Sequence, residues 1–284
     1  MSLIDQLSAL PTETVSVTAD ARVQFRRARA ASAGSAVTHV LLHGIGSASG
    51  SWLAQLQQAA SCARPASHVL AWDAPGYGAS TALPMNAPRA TDYAARMWDW
   101  LDTLQVSEPF TLVGHSLGAL MAAAAARQQP QRVARLVLLA PAAGYAQASA
   151  ELRDKKLADR LANLANLGPS GMAQARAGAM LAGNPTHQQL AFVQHVMAQI
   201  DPAGYIQAAR MLSGGDLLPD LRAVSCPRLV ASGDGDTITP PQACQSLALD
   251  ADVTYQSLGP VGHSCPLQAA AQVNRLLGLQ EGVA

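Results

Sequence analysis

The chain has little charge and no excess of either sign: 13% of its 284 residues are Asp, Glu, Lys or Arg, and 19 basic residues offset 19 acidic ones. No basic cluster interleaved with aromatics occurs, so the electrostatic footprint of a nucleic-acid surface is missing and no nucleic-acid partner is expected. Cysteine is sparse as well. Cys62, Cys226, Cys244 and Cys265 lie far apart with no C-x-x-C pair, which speaks against a zinc site and a redox dithiol and leaves free buried thiols as the expectation. No apolar run approaches the roughly 20 residues that span a bilayer. The opening "MSLIDQLSAL" carries Asp5 and lacks the basic segment and long apolar stretch of a signal peptide. These absences lead us to expect a soluble, cytoplasmic protein with no membrane contact, no metal and no cofactor; association into a homo-oligomer is left open.

What is present is a recurrence of short apolar runs with helical patterns between them. Thr38–His43, Ser67–Trp72, Phe110–Gly114, Arg135–Ala140, Pro227–Ser232 and Asp252–Leu258 are mostly apolar throughout rather than alternating, as in parallel strands covered on both faces. The fold class expected is therefore α/β, with a mostly parallel central sheet between helices. Upstream, "ETVSVT" and "ARVQFRR", joined at Ala19-Asp20, alternate more and suit an antiparallel hairpin at the sheet edge. One long interval holds no strand pattern. Between Ala140 and Pro227 the residues Leu157, Leu161 and Leu164 share a helix face, Leu190, Phe192, Val193 and Val196 share another, and Asp201 stands where a helix N-cap belongs. The chain is expected to divide into a core, 1–141 with 224–284, and a helical cap inserted at 142–223. The alanine run after Met121 suits a helix packed tightly on strands.

"LVGHSLGAL", Leu112 to Leu120, places Ser116 between Gly114 and Gly118, after one apolar run and before another. A strand turning sharply into a helix here would lift the serine side chain clear of the sheet on a strained backbone, and the glycines remove Cβ atoms that would collide as strand and helix close. Helix-start N–H groups next to it favour developing negative charge. A serine hydroxyl needs a base and a group to orient that base. His263, in the glycine-rich loop after the last predicted strand, and Asp236, in the loop after the preceding strand, both fall at the carboxyl edge of the sheet where Ser116 should lie. The order Ser116, Asp236, His263 is the one this arrangement requires. The turn "LLHGIGSASGSW" reaches the same edge, so Ile45 N–H and Leu117 N–H are the expected oxyanion donors.

With these segments in place the chain resembles the α/β-hydrolase fold family, in its capped group of esterases, lactonases and carbon–carbon bond hydrolases. The resemblance rests on "HGIG" (His43–Gly46), "WDAPGYGAS" (Trp72–Ser80), "GHSLG" (Gly114–Gly118), "GDGDTITPP" (Gly233–Pro241) and "GH" (Gly262–His263), in that order. It implies Ser116 as nucleophile, His263 as base, Asp236 as orienting acid, and Ile45 and Leu117 as oxyanion donors. The segment "DPAGYIQAARMLSGGDLLPDL" is similar to 3-oxoadipate enol-lactonases at Gly204-Tyr205 and Asp216-Leu217.

Other residues near these motifs have plainer explanations. Asp234 competes with Asp236 but reads as a solvated or turn-capping carboxylate. His115 is expected to pack beneath the serine, His43 to shape its loop, Asp73 to support the wall of the site, and Cys265 to be a buried thiol. Met172, Met180, Met197 and Met211 are helix-packing residues, some of which could face Ser116. Serine at the elbow disfavours dehalogenase and epoxide hydrolase chemistry, which needs a carboxylate nucleophile. The expected activity is hydrolysis of a carboxylic ester or lactone of a small, largely apolar molecule through an acyl-enzyme. The alternatives are a carbon–carbon hydrolase of ring-cleavage products and a small-molecule receptor on the same fold. Carbon–carbon hydrolases usually show a proline in the oxyanion loop and a tryptophan after the histidine, where this chain has Ser47-Ala48 and Ser264.

Overall fold

The computed structural model describes residues 1–61 and 66–280. Cys62 lies outside them. Among these residues eight strands, β1 (Thr12–Ser16), β2 (Arg22–Arg29), β3 (His39–Leu42), β4 (His68–Trp72), β5 (Phe110–His115), β6 (Val133–Leu139), β7 (Arg228–Ser232) and β8 (Thr254–Ser257), form one sheet in the order β1-β2-β4-β3-β5-β6-β7-β8. β1 and β2 pair antiparallel, β2 joins β4 antiparallel, and β3 to β8 are parallel. Each apolar run of the sequence is a strand, with ends shifted by a residue or two, and the N-terminal pair is the edge hairpin.

Among the described residues eleven α-helices accompany the strands: α1 (Leu3–Ser8), α2 (Leu53–Ser61), α3 (Ala90–Thr103), α4 (Gly118–Gln128), α5 (Ala150–Arg176), α6 (His187–Met197), α7 (Pro202–Gly214), α8 (Leu217–Ala223), α9 (Pro241–Asp250), α10 (Cys265–Gln268) and α11 (Ala270–Leu277). On one face of the sheet Trp98 and Trp100 of α3, the alanines of α4, Leu217 and Leu221 of α8, and Leu247 of α9 form a single apolar cluster with the strands. The opposite face is covered by Leu56 of α2 and Val273 and Leu277 of α11. Burial on both faces explains why the central strands carry no polar alternation. Ala122 to Ala126 are fully buried, and their small size lets α3 and α8 approach α4.

Between β6 and β7 the chain is helical, as its sequence led us to expect. Leu164 is buried on α5 with Leu157 and Leu161 packed at its side. α6 starts at a Thr186/Gln189 capping box and buries Phe192, Val193, Val196 and Met197. Asp201 caps α7, its Oδ1 accepting from Ala203 N at 2.8 Å and Gly204 N at 3.0 Å. Gly204 is pressed onto the loop after β4: a Cβ there would stand 1.9 Å from the Gly76 carbonyl oxygen. That backbone contact is one point where these helices meet the sheet layer.

Candidate active site

β3 is flanked by β4 on one side and β5 on the other, so the connections leaving β3 and β5 diverge and open a crevice outside their carboxyl ends. The segments singled out in the sequence converge there. Leu42 at the end of β3 lies in register with Gly114 near the end of β5, and the turns that follow bring Gly44 against Ser116. A Cβ on Gly44 would be 3.0 Å from Ser116 Cβ and 3.5 Å from its Oγ.

β5 continues through His115 and α4 begins at Gly118, so Ser116 occupies the bend itself. Its φ is +53°, the left-handed region that a non-glycine residue occupies only at a cost. The surroundings enforce it: Ser116 N donates to Leu139 O at 3.0 Å, and Ser116 O accepts from Ala119 N and Ala142 N, both at 3.1 Å. The flanking glycines are required by space. A Cβ at Gly118 would meet Leu42 O at 2.3 Å, and one at Gly114 would meet Gly118 O at 2.5 Å.

Asp236 and His263 come from the loops after β7 and β8. Asp236 Oδ2 lies 2.8 Å from His263 Nδ1, and both side chains are buried. Asp236 Oδ1 accepts from Ile238 N at 2.8 Å and Thr239 N at 3.0 Å, and Oδ2 also accepts from Thr239 Oγ1 at 2.8 Å. Burial alone would raise the Asp236 pKa; the hydrogen bond and charge of His263 and the Thr239 bonds outweigh it and hold the carboxyl below its ordinary value. An ionised carboxylate only accepts, so Nδ1 carries a proton, and in the neutral imidazole Nε2 is then the nitrogen with the free lone pair. Asp234 is exposed and accepts from Ser257 Oγ at 2.6 Å, outside this network.

The turn after β3 is fixed by two side chains. Ala74 N donates to His43 Nε2 at 3.0 Å, so His43 is protonated at Nδ1 and donates to Gly44 O at 2.8 Å. Tyr77 Oη donates to Ile45 O at 2.7 Å. In a planar trans peptide the C=O and N–H point opposite ways. Anchoring Gly44 O therefore directs Ile45 N–H away from His43, and anchoring Ser116 O does the same for Leu117 N–H. Neither N–H is taken up by an acceptor among the described residues. Asp73 supports this wall, as anticipated: Oδ1 accepts from Ser49 N and Oδ2 from Gln24 Nε2, both at 2.7 Å. His115 packs under the bend, donating from Nε2 to His263 O at 2.8 Å, and burial pushes its pKa down to about 3.

Comparison with known proteins agrees with the fold. The family model described as "Alpha/beta hydrolase family" matches residues 40–276. The chain belongs to the alpha/beta hydrolase family. Among solved structures of similar shape are the enol-lactonase from Burkholderia xenovorans LB400 (21% identical, covering 94% of this chain and 98% of that one, TM-score 0.78) and a thermophilic esterase from Thermogutta terrifontis (20%, 94% and 96%, TM-score 0.78). At that identity the likeness is one of fold. Among curated proteins, one from Variovorax paradoxus named, provisionally, as carbamate hydrolase RutD is 30% identical over 84% of this chain and 89% of its own length. The chain spans little more than a third of other curated relatives, such as the (E)-2-((N-methylformamido)methylene)succinate hydrolase of Acinetobacter baylyi (32% identical over 35% of this chain and 36% of that protein).

In this hydrolase-family chain a cavity of about 250 Å³ opens above the bend, lined by Ser116, His263 and Ile45 on the sheet side and by residues of α5, α6 and α7 opposite. Met172, Met180 and Met197 face it; Met211 instead lies in the core beside the sheet. Cys265 is fully buried, with its thiol pKa raised by that burial, and Cys244 is pushed up to about 11 for the same reason. Among the described residues no group of three or more His, Cys, Asp or Glu could hold a metal ion, and no helix is long and apolar enough to cross a membrane. Three contributors escaped the sequence reading. Thr239 could have been found, because Asp followed three residues later by Thr is a turn-forming spacing. Arg160 and Arg176 line the cavity, and nothing local distinguishes them from solvated helix charges.

Proposed function

We propose that the protein is a serine hydrolase that cleaves a carboxylic ester or lactone of a small molecule through an acyl-enzyme, with 142–223 acting as a cap over the core formed by 1–141 and 224–284. Ser116 Oγ attacks the carbonyl carbon and its proton passes to His263 Nε2, while Asp236 holds the imidazole and stabilises its charged form. The carbonyl oxygen, now negative, is received by Ile45 N–H and Leu117 N–H. Collapse breaks the bond to the departing oxygen, which takes the proton from His263, and water then releases the acid from Ser116 by the same route. The observation that carries this reading is the buried Asp236–His263 pair at 2.8 Å opening on the same cavity as a serine held at φ +53°.

Ester or lactone cleavage is favoured over carbon–carbon cleavage by what stands beside the catalytic groups. A carbon leaving group demands extra proton-transfer partners. The cavity offers Ser47 and Ser264 there, and Cys265 is turned into the core. A fluorophosphonate probe should label Ser116, and activated esters and lactones should be turned over faster than vinylogous diketone ring-fission products. Folded protein that neither reacts with the probe nor hydrolyses any activated ester would instead be a ligand receptor, and faster loss of the diketone would assign carbon–carbon cleavage.

A further inference from the structure

We infer, building on the ester or lactone reading above, that the substrate carries a carboxylate remote from the bond that is cleaved and that Arg160 and Arg176 receive it. Both residues lie on α5 and line the cavity that holds Ser116 and His263, and no aspartate or glutamate lines it with them. The wall is otherwise mostly apolar, with methionines, Phe192 and Val196 among its members. Two half-buried cations on such a wall, with no acidic side chain in the lining beside them, form an electropositive patch suited to an anionic group.

Among the described residues the other arginines that are not exposed are answered, and Arg22, Arg29 and Arg275, which have no side-chain partner, are exposed to water. Arg132 pairs with Asp102, Arg127 with Asp220 and Arg153 with Asp154, and Arg135 and Arg228 donate to main-chain carbonyls. Among the described residues Arg160 reaches only the Tyr145 hydroxyl, at 3.4 Å, with its guanidinium 6.0 Å from that ring's centre. Arg176 makes no ion pair or hydrogen bond among the described residues. A last-turn arginine also complements the helix dipole, but that role does not call for a place on the cavity wall, and mid-helix Arg160 has no such role.

The helix itself is shaped to deliver both. In a straight helix the sixteen steps from Arg160 to Arg176 would span about 24 Å. Gly168, at φ +61° and ψ 177°, breaks α5 ahead of Pro169, so its two segments need not be collinear and both arginines border one cavity. The guanidinium fork suits a carboxylate, which it can hold by two parallel N–H···O bonds.

The test compares p-nitrophenyl monoesters of four- to eight-carbon dicarboxylic acids with the same esters methylated at the second carboxyl. The wild-type protein should favour the free acids by about ten- to a hundredfold in kcat/KM. That ratio should fall toward one in the Arg160→Gln, Arg176→Gln double variant and recover in part with Lys at the two positions. Equal rates on acid and methylated esters in the wild type, or a ratio the double variant leaves unchanged, would overturn the inference while Ser116-dependent turnover keeps the hydrolase reading. If neither ester is turned over, calorimetric titration with succinate through suberate decides: binding that the double variant loses upholds the carboxylate site without the hydrolase reading, and no binding refutes it.

Discussion

Replacing Asp236 by Asn tests the buried network at its most connected atom pair. Asp236 accepts four hydrogen bonds, from Ile238 N, Thr239 N, Thr239 Oγ1 and His263 Nδ1. An asparagine has one acceptor oxygen. If that oxygen stays with the two backbone N–H groups, the amide NH₂ faces Nδ1, and donor meets donor unless His263 moves its proton to Nε2. The imidazole would then present a proton, not a lone pair, to the cavity. Loss of the correct tautomer and of the stabilising charge should lower kcat/KM on an activated ester by about a thousand- to ten-thousandfold. Asp234→Asn perturbs one exposed bond to Ser257 and should stay within about threefold, its effect on stability falling in the usual surface range of about 0.5 kcal/mol. The pH dependence of stability gives a second readout. Because the folded-state pKa of Asp236 is lowered, its carboxylate contributes stability above the unfolded value of about 3.9, and that contribution is lost as pH falls through the folded value. The melting-temperature gap between wild type and Asp236→Asn should be widest above about pH 5 and close in stronger acid. Equal activity losses at Asp234 and Asp236, or a gap that widens in acid, would refute the reasoning.

Ser116→Ala should abolish fluorophosphonate labelling, and Ser116→Gly, equally inactive, should be more stable than the alanine variant by about 1 kcal/mol because only glycine is unstrained at φ +53°; a less stable glycine variant by chemical denaturation would count against strain at this bend. Gly118→Ala sets a Cβ 2.3 Å from Leu42 O and should cost about 2–3 kcal/mol, whereas Gly34→Ala, with nothing within 4 Å, should leave the unfolding midpoint nearly unchanged. Thr239→Val removes one donor to Asp236 Oδ2 and should lower kcat about tenfold. Since the Thr239 hydroxyl helps hold the Asp236 carboxyl below its ordinary value, acid inactivation of the valine variant should set in at higher pH, which a pH–rate profile from 3 to 8 would show.

The convergence of Ser116, Asp236 and His263 could be read from sequence because each of them is announced locally. A strand buried on both faces writes an apolar run, a sharp turn writes glycines, and a parallel sheet sends every such turn to one edge, so three loops far apart in sequence are known to meet without any knowledge of their contacts. Thr239 belonged to the same local grammar. What the sequence could not convey was the exact element boundary at Ser116: the hydrogen bonds that hold it at the apex come from Leu139 and Ala142, in another strand and its following loop.

The helices between β6 and β7 obey a different logic. Their apolar faces predicted burial, and Leu164, Phe192 and Val196 are buried or nearly so, but a helix pattern does not say which other face meets a cavity. Arg160 stands in "ELRDKKLADRL", a stretch of mixed charge whose neighbours Lys155 and Asp159 do form a solvated pair. Only the break at Gly168, a position where an added side chain would meet nothing within 4 Å, separates that stretch from a continuous surface helix. The glycine is there for its backbone, not for close packing, and its effect is felt eight residues away on each side. The chemistry proposed for the strand ends and the selection proposed for the bent helix are thus encoded at different ranges, the first in local motifs and the second in the wall of the cavity.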